Sequence, residues 1–435
     1  MDRTIIGRLI SALRADATLA MATRATQGAV MGLGAAIVIW RMSSTGQGYY
    51  FAFISFGILL QLCDFGLSYA SLQAASHLLA IGRVSALKAL ADRALRINAP
   101  ITAAASIVVA GLGWWLFVRA PDESAEGWTA AWFVFIAGVG INHLTAPYIF
   151  IVEGGLSVAR AWRFRLAQEI ASGVVLLVVL AFGQGLWALA AYFWARFAFA
   201  AGWMRRMSLS VPDVAGFGEP MRSWREDLWP FQWRVGLSAI ASYLVFQAFG
   251  PILFALRGPD AAGRFALSLS VMNAIVMVTT AWPISQAAHF GVLVGRRQVA
   301  DLARRWTQLL VRSTAFAAVG AVATVAAFVV LSAMAPAAMA RFAGPQTTAL
   351  LIASAVAHHV IACISVVLRS ERRDPLLGLS IVGGLATLGL MTVAAVRGEL
   401  QWVALTYLLC TVATIPIATL VYRRFAARQR LPQAA

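Results

Sequence analysis

The feature that most constrains this chain is a rhythm of long apolar runs separated by short gaps, with basic residues crowded into every second gap. A helix rising 1.5 Å per residue needs about 20 mostly apolar residues to cross a ~30 Å hydrocarbon core. On that basis spans are expected near 18–40, 49–72, 98–119, 128–152, 164–183 and 185–204, then 231–256, 264–289, 307–333, 346–368, 376–396 and 400–422. Composition agrees. Only 12% of the 435 residues are charged and 60% are hydrophobic, against roughly a quarter charged in soluble domains. No single core could bury so much apolar surface, so much of it must face lipid.

The basic residues set a direction. Of 34 arginines and one lysine, 27 lie at the N-terminus (Arg3, Arg8, Arg14), in the gaps holding Arg83, Lys88, Arg93 and Arg96, Arg160 to Arg165, Arg205 to Arg234, Arg296 to Arg312 and Arg369 to Arg373, or at Arg423 to Arg430. The intervening gaps hold six: Arg41, Arg119, Arg257, Arg264, Arg341 and Arg397. Arg24 and Arg196 fall inside apolar runs. Lys and Arg accumulate in cytoplasmic loops, so both termini are expected in the cytoplasm of a multi-pass membrane protein. The formal charge of +17 is then topological, and nucleic acid is set aside as a partner.

The longest connection, 205–230, carries Pro212, Gly216, Gly218 and Pro220. It divides the chain into an N-terminal lobe (1–204), a C-terminal lobe (231–422) and a tail (423–435). The lobes share landmarks. Gly48-Tyr49-Tyr50-Phe51-Ala52 opens span two, and Gly263-Arg264-Phe265-Ala266-Leu267 opens span eight, 215 residues later. Gly82-Arg83 and Gly295-Arg296 each begin a basic amphipathic segment, 213 residues apart. Six spans per copy make both copies cross in the same direction, the parallel-repeat plan of many transporters. The expected fold class is all-α and polytopic, with about twelve transmembrane helices in two six-helix lobes.

Other chemistry is sparse. Cys63, Cys363 and Cys410 lie in apolar runs and read as small buried side chains rather than a disulfide or metal set. The first 17 residues are polar and basic, ahead of a run long enough to span, so span one is expected to be retained rather than cleaved. Outer gaps are short, even the acidic one with Asp122, Glu123 and Glu126. They hold no paired carboxylates, metal ligands or Ser/His/Asp set, so no enzyme activity, cofactor or metal is expected.

Two stretches carry a family likeness. Trp40-Arg41-Met42-Ser43-Ser44-Thr45-Gly46-Gln47-Gly48-Tyr49-Tyr50 resembles the first external loop of polysaccharide-export flippases, and Leu62-Cys63-Asp64-Phe65-Gly66-Leu67-Ser68 resembles the Asp-hydrophobic-Gly-Leu element later in the same helix. The connector from Gly82 to Arg96 fits the same pattern. These features resemble the Wzx-like branch of the multidrug/oligosaccharidyl-lipid/polysaccharide exporter superfamily. The resemblance implies a MATE-like, two-lobed bundle with a central cavity, set in the bacterial inner membrane. It also implies a cargo of oligosaccharide on a polyprenyl diphosphate, moved from the cytoplasmic to the periplasmic leaflet for O-antigen or exopolysaccharide synthesis. Membrane lipids and other polysaccharide-assembly proteins are the further partners it suggests. The alternatives are a cationic drug exporter of MATE type and, from another class, a membrane-embedded polysaccharide polymerase or ligase.

Ionisable groups at membrane depth are costly and face a cavity or a partner. Arg24 in span one and Asp64 in span two are expected at similar depth, as an ion pair or a diphosphate site. Arg196 should lie near the midplane, where snorkelling cannot relieve it, facing the cavity or an acid. Arg234, beside Trp229, Phe231 and Trp233, is placed at the cytoplasmic mouth, as a phosphate contact or an interfacial anchor. Glu169 follows Arg165 by four residues and is expected to pair with it locally. His358 and His359 in span ten, with Asp64, are candidates for ion coupling, and His143 lies in span four. Pro147, Pro251, Pro283 and Pro416 interrupt spans as hinges or packing features.

Overall fold

The computed structural model describes residues 3–80, 82, 86–120, 127–208, 229–295, 298–369 and 375–430. Most of the expected 205–230 linker lies outside them, as do Arg83, Asp122, Glu123, Glu126, Arg222, Arg225, Arg296, Arg297, Arg372 and Arg373. The described helices of the first half are α1 (Arg3–Arg41), α2 (Ser44–Gln61), α3 (Leu67–Ala80), α4 (Ala86–Val118), α5 (Trp128–His143), α6 (Ala146–Gly155), α7 (Val158–Ala181) and α8 (Gly185–Ser208). The second half gives α9 (Trp229–Phe246), α10 (Phe249–Ser285), α11 (Ala287–Gly295), α12 (Val299–Met334), α13 (Pro336–Met339), α14 (Pro345–Leu368), α15 (Leu377–Arg397) and α16 (Leu400–Arg430).

Eight described stretches are long and apolar enough to cross a membrane. One of them, Gln232–Gly291, runs 60 residues, about 90 Å of straight helix and three times a hydrocarbon core. It must break, and it does so at Gly258 (φ 83, ψ 173) just before Pro259. Counting it as two crossings and adding α1, the α2–α3 pair and α8 gives about twelve. The repeat landmarks fall at matching points. Gly48 sits five residues beyond the Ser43 cap of α2, and Gly263 five beyond the break at Gly258. Gly295 precedes the start of α12 at Val299 by four residues, and Gly82 precedes the described part of α4.

The helices depart from the expected spans in two ways. The basic connectors are not separate segments. They form the first turns of α4 and α12, because nothing between the amphipathic and apolar parts stops the helix: Pro100 lies well inside α4. Several spans are broken within their length instead. Span two breaks at Leu62–Gly66 and span four at Leu144–Thr145, with Pro147 in the first turn beyond. Pro251 similarly follows the break at Gln247–Ala248, and Pro283 precedes the one at Gln286, whereas α16 runs through Pro416. Pro147 and Pro251 are tolerated because an N–H in the first turn of a helix lacks an intrahelical partner anyway.

Contacts divide the chain into two compact units, Met1–Ala239 and Ile240–Ala435. The boundary falls inside α9, so its first turns belong with the N-terminal unit. That unit's core is aromatic: Phe53 packs between Trp132 (4.8 Å) and Phe117 (5.4 Å), and Trp132 donates its indole N–H to the Ala110 carbonyl at 3.0 Å. In the C-terminal unit Trp306 stacks on Tyr422 at 3.9 Å, beside a core of Leu309, Ile364, Val367 and Leu368. In lipid such packing and internal hydrogen bonding hold helices together, since lipid tails already solvate apolar side chains.

Candidate functional site

The α7–α8 hairpin turns at Gly183 (φ 80), and Glu169 and Arg196 lie nearly equidistant from that turn on its two arms. They are therefore level, and they meet. Arg196 Nη1 lies 2.6 Å from Glu169 Oε2, with Arg196 half-buried and Glu169 buried. Tyr192, one turn before Arg196, donates its hydroxyl to the Glu169 carboxylate at 3.1 and 3.2 Å and accepts from Arg196 Nη1 at 2.8 Å. Gln168 closes the group: its Oε1 accepts from Arg196 Nη2 at 3.2 Å, and its Nε2 donates to the Arg196 carbonyl at 2.9 Å. Arg196 enters α8 eleven residues from its start, about 16 Å along the helix. A charge at that depth needs a partner, and here the carboxylate supplies it.

Glu169 accordingly does not pair with Arg165. Arg165 instead lies 2.6 Å from Glu153 on α6 and between the rings of Phe150 and Trp162. The i, i+4 spacing misled because an interhelical partner at equal depth competes with the local one. The hairpin arithmetic would have found it.

The expected Arg24–Asp64 ion pair does not form. Asp64 occupies the α2–α3 break, where a severed helix exposes backbone donors that lipid cannot satisfy. Its Oδ1 accepts from Gly66 N at 2.9 Å and its Oδ2 from Ser68 N at 3.0 Å. The turn is locked from the other side by α9: Gln232 Nε2 donates to the Asp64 carbonyl at 3.0 Å, and Phe65 stacks on Trp229. Gly66 (φ 88) and Gly236 let the two backbones touch, since a Cβ on Gly236 would stand 2.5 Å from the Phe65 carbonyl oxygen. Asp64 is thus a helix cap. Arg24 sits on α1, whose buried positions Thr23, Val30 and Val38 mark its packed face, and α1 runs along α7 rather than α2. Its guanidinium is exposed and has no partner among the described residues. Arg234 is exposed too, 5.4 Å from the Trp233 ring.

The histidines of α14 diverge. His358 meets the Tyr407 hydroxyl at 2.8 Å and packs on Phe246. His359, fully buried, meets Ser313 at 2.9 Å and Cys363 at 3.4 Å through Nε2, leaving Nδ1 without a partner. His143 is buried as well. Tyr192, Gln168, Gln232, Ser313 and Tyr407 were not legible as site residues, because nothing in a span's sequence shows which polar group it meets on another helix. No group of three or more metal-ligating side chains occurs among the described residues.

No family model and no curated protein sequence matches the chain. Solved structures do. One, the inward-facing conformation of a multidrug resistance MATE family transporter of the MOP superfamily, superposes with a TM-score of 0.72 at 15% identity, over 94% of this chain and 96% of its own. The fold is that of the MATE transporters. A MATE transporter from Vibrio cholerae matches at 0.64 and 12% identity, covering 98% and 99% of the two chains. A MOP superfamily transporter from Pyrococcus furiosus, reported with a binding pocket of reverse polarity suggesting a different function, matches at 0.53 and 14%, over 97% and 96%. The MATE fold accounts for the all-helical architecture, and at such identities it leaves the cargo to be argued from side chains.

Proposed function

We propose that the protein is a membrane transporter working by alternating access, and that its cargo is an anionic lipid headgroup: an oligosaccharide on a polyprenyl diphosphate, turned from the cytoplasmic to the periplasmic leaflet. The observation that carries the charge preference is the state of the acids. Asp64 is consumed by backbone N–H groups, and Glu153, Glu169 and Asp260 each face an arginine within 3.0 Å. A site for organic cations needs a free carboxylate, and these four are engaged. Arg24 retains an unmatched positive charge. A diphosphate entering hydrocarbon unpaired would face a penalty of several kcal/mol per charge, which pairing with a guanidinium reduces. An inside-negative potential assists outward transfer by ~2.3 kcal/mol per charge per 100 mV. The Pyrococcus furiosus relative supports the reading to this extent: its reported pocket polarity is reversed on the same fold.

The multidrug reading draws on the description of the first solved relative, and the engaged acids weigh against it. The test is reconstitution in liposomes with a fluorescent polyprenyl-diphosphate oligosaccharide. Arg24→Lys should retain most flipping, while Arg24→Ala should slow it several-fold at unchanged protein content. Equal rates for Arg24→Ala and the native chain would remove Arg24 from the path.

A further inference from the structure

Two of the six arginines that run against the charge bias, Arg257 and Arg264, line one cleft of about 550 Å³ lying wholly within the C-terminal unit. Asp260, Gln346, Glu399 and Gln401 complete its polar wall. A smaller hollow of about 380 Å³ shares Arg264, Gly344 and Leu400 with it and adds the rings of Phe328 and Phe342. The size suits a small polar ligand, within the ~300–1,000 Å³ range of ordinary binding sites.

The wall is built rather than incidental. Arg257 Nη1 donates to the Ala395 and Gly398 carbonyls at 3.2 and 3.1 Å, which fixes the guanidinium against the end of α15. Its Nε and Nη2 have no partner among the described residues. Arg264 Nε lies 3.0 Å from Asp260 Oδ2, and both side chains stay about two-fifths exposed, at 42% and 41%. The two arginines are balanced by Asp260 and Glu399, so the cleft carries no net formal charge. It is therefore ill-suited to trap a phosphate or a metal ion. What it offers is a set of planar groups with donors and acceptors side by side, the complement of adjacent hydroxyls on a ring.

We propose that this cleft binds the sugar portion of the cargo, an uncharged, hydroxyl-rich oligosaccharide, at the end of the C-terminal unit away from the arginine-rich gaps. The proposal rests on the flippase reading above and gives it a second point of contact: the diphosphate engages arginine within the spans, and the glycan engages this cleft on release.

The experiment uses the full chain in lipid nanodiscs and, as probe, the free oligosaccharide released by mild acid from the host's lipid-linked pool. Saturation-transfer NMR should show transfer to the native protein that persists in 0.5 M NaCl. Arg264→Ala should weaken it about tenfold or more, and Gln401→Ala, at the start of α16, should weaken it with the thermal midpoint unchanged. No transfer to native protein that still flips the lipid-linked form overturns the cleft and leaves the flippase reading standing. Transfer lost in salt and displaced by inorganic phosphate makes the cleft an anion site and overturns the proposal, as does transfer unchanged in both variants. Specific transfer without flipping would overturn the flippase reading and the cleft's place in it together.

Discussion

Removing Arg196 should destabilise the N-terminal unit, and removing Glu169 as well should add less than its own separate cost. Arg196→Ala deletes a 2.6 Å ion pair and the bonds to Tyr192 and Gln168, and leaves Glu169 buried with only the Tyr192 hydroxyl. In soluble proteins, breaking a buried pair from one side costs about 3–5 kcal/mol. Within membranes polar contacts between helices average roughly 0.6 and reach about 1.7 kcal/mol, because the unfolded helices also find partners. Three bonds to one guanidinium, one of them charged at both ends, place the single variant at about 2–3 kcal/mol. Glu169→Ala should cost a similar amount, since it strands the arginine. The double variant should then fall short of the sum by about 1–2 kcal/mol. SDS-titrated unfolding of the purified protein, followed by tryptophan fluorescence, reads all three. Coupling below about 0.5 kcal/mol, the range of independent sites, would refute the claim that the pair acts as a unit.

Asp64→Asn should be tolerated better than Asp64→Ala, because the amide oxygen can still accept one N–H of the α2–α3 break; the alanine variant should lose about 1–2 kcal/mol, and equal stabilities would show that the cap is dispensable. Gly236→Ala drives a methyl group into the Phe65 carbonyl and should lower the yield of folded protein well below that of Gly202→Ala, whose Cβ would meet open space; matching yields in size-exclusion profiles would contradict the close backbone approach. Tyr407→Phe removes the His358 partner and should alter the dependence of transport on an imposed proton gradient if α14 couples ions. An unchanged gradient dependence, in both Tyr407→Phe and His359→Ala, would confine the histidines to packing.

Much of the architecture was legible because lipid imposes simple rules. The length of each apolar run sets a span, and the ends of α14 and α15 fall within one residue of the expected 346–368 and 376–396. The landmarks read as an internal repeat, Gly48 and Gly263, lie at the same step, five residues, beyond the cap at Ser43 and the break at Gly258. The interior polar partnerships were much less legible. Arg196 could be recognised as a charge needing an acid, yet the choice of Glu169 depends on the register of the Gly183 hairpin. Asp64 looked like a ligand because its sequence shows a carboxylate at membrane depth and not the helix break it caps. The breaks themselves escaped notice since short polar interruptions such as Asn142 to Thr145 do not lower the mean hydropathy of a span enough to register.

The central claim, that this MATE fold carries an anionic lipid headgroup rather than an organic cation, is tested most directly by offering both to one preparation. Proteoliposomes would be loaded in parallel with fluorescent polyprenyl-diphosphate oligosaccharide and with ethidium, under an imposed membrane potential. The account predicts flipping of the lipid-linked sugar, faster when the donor side is negative, and ethidium flux no greater than in protein-free vesicles. Ethidium transport with no movement of the lipid-linked sugar would contradict it.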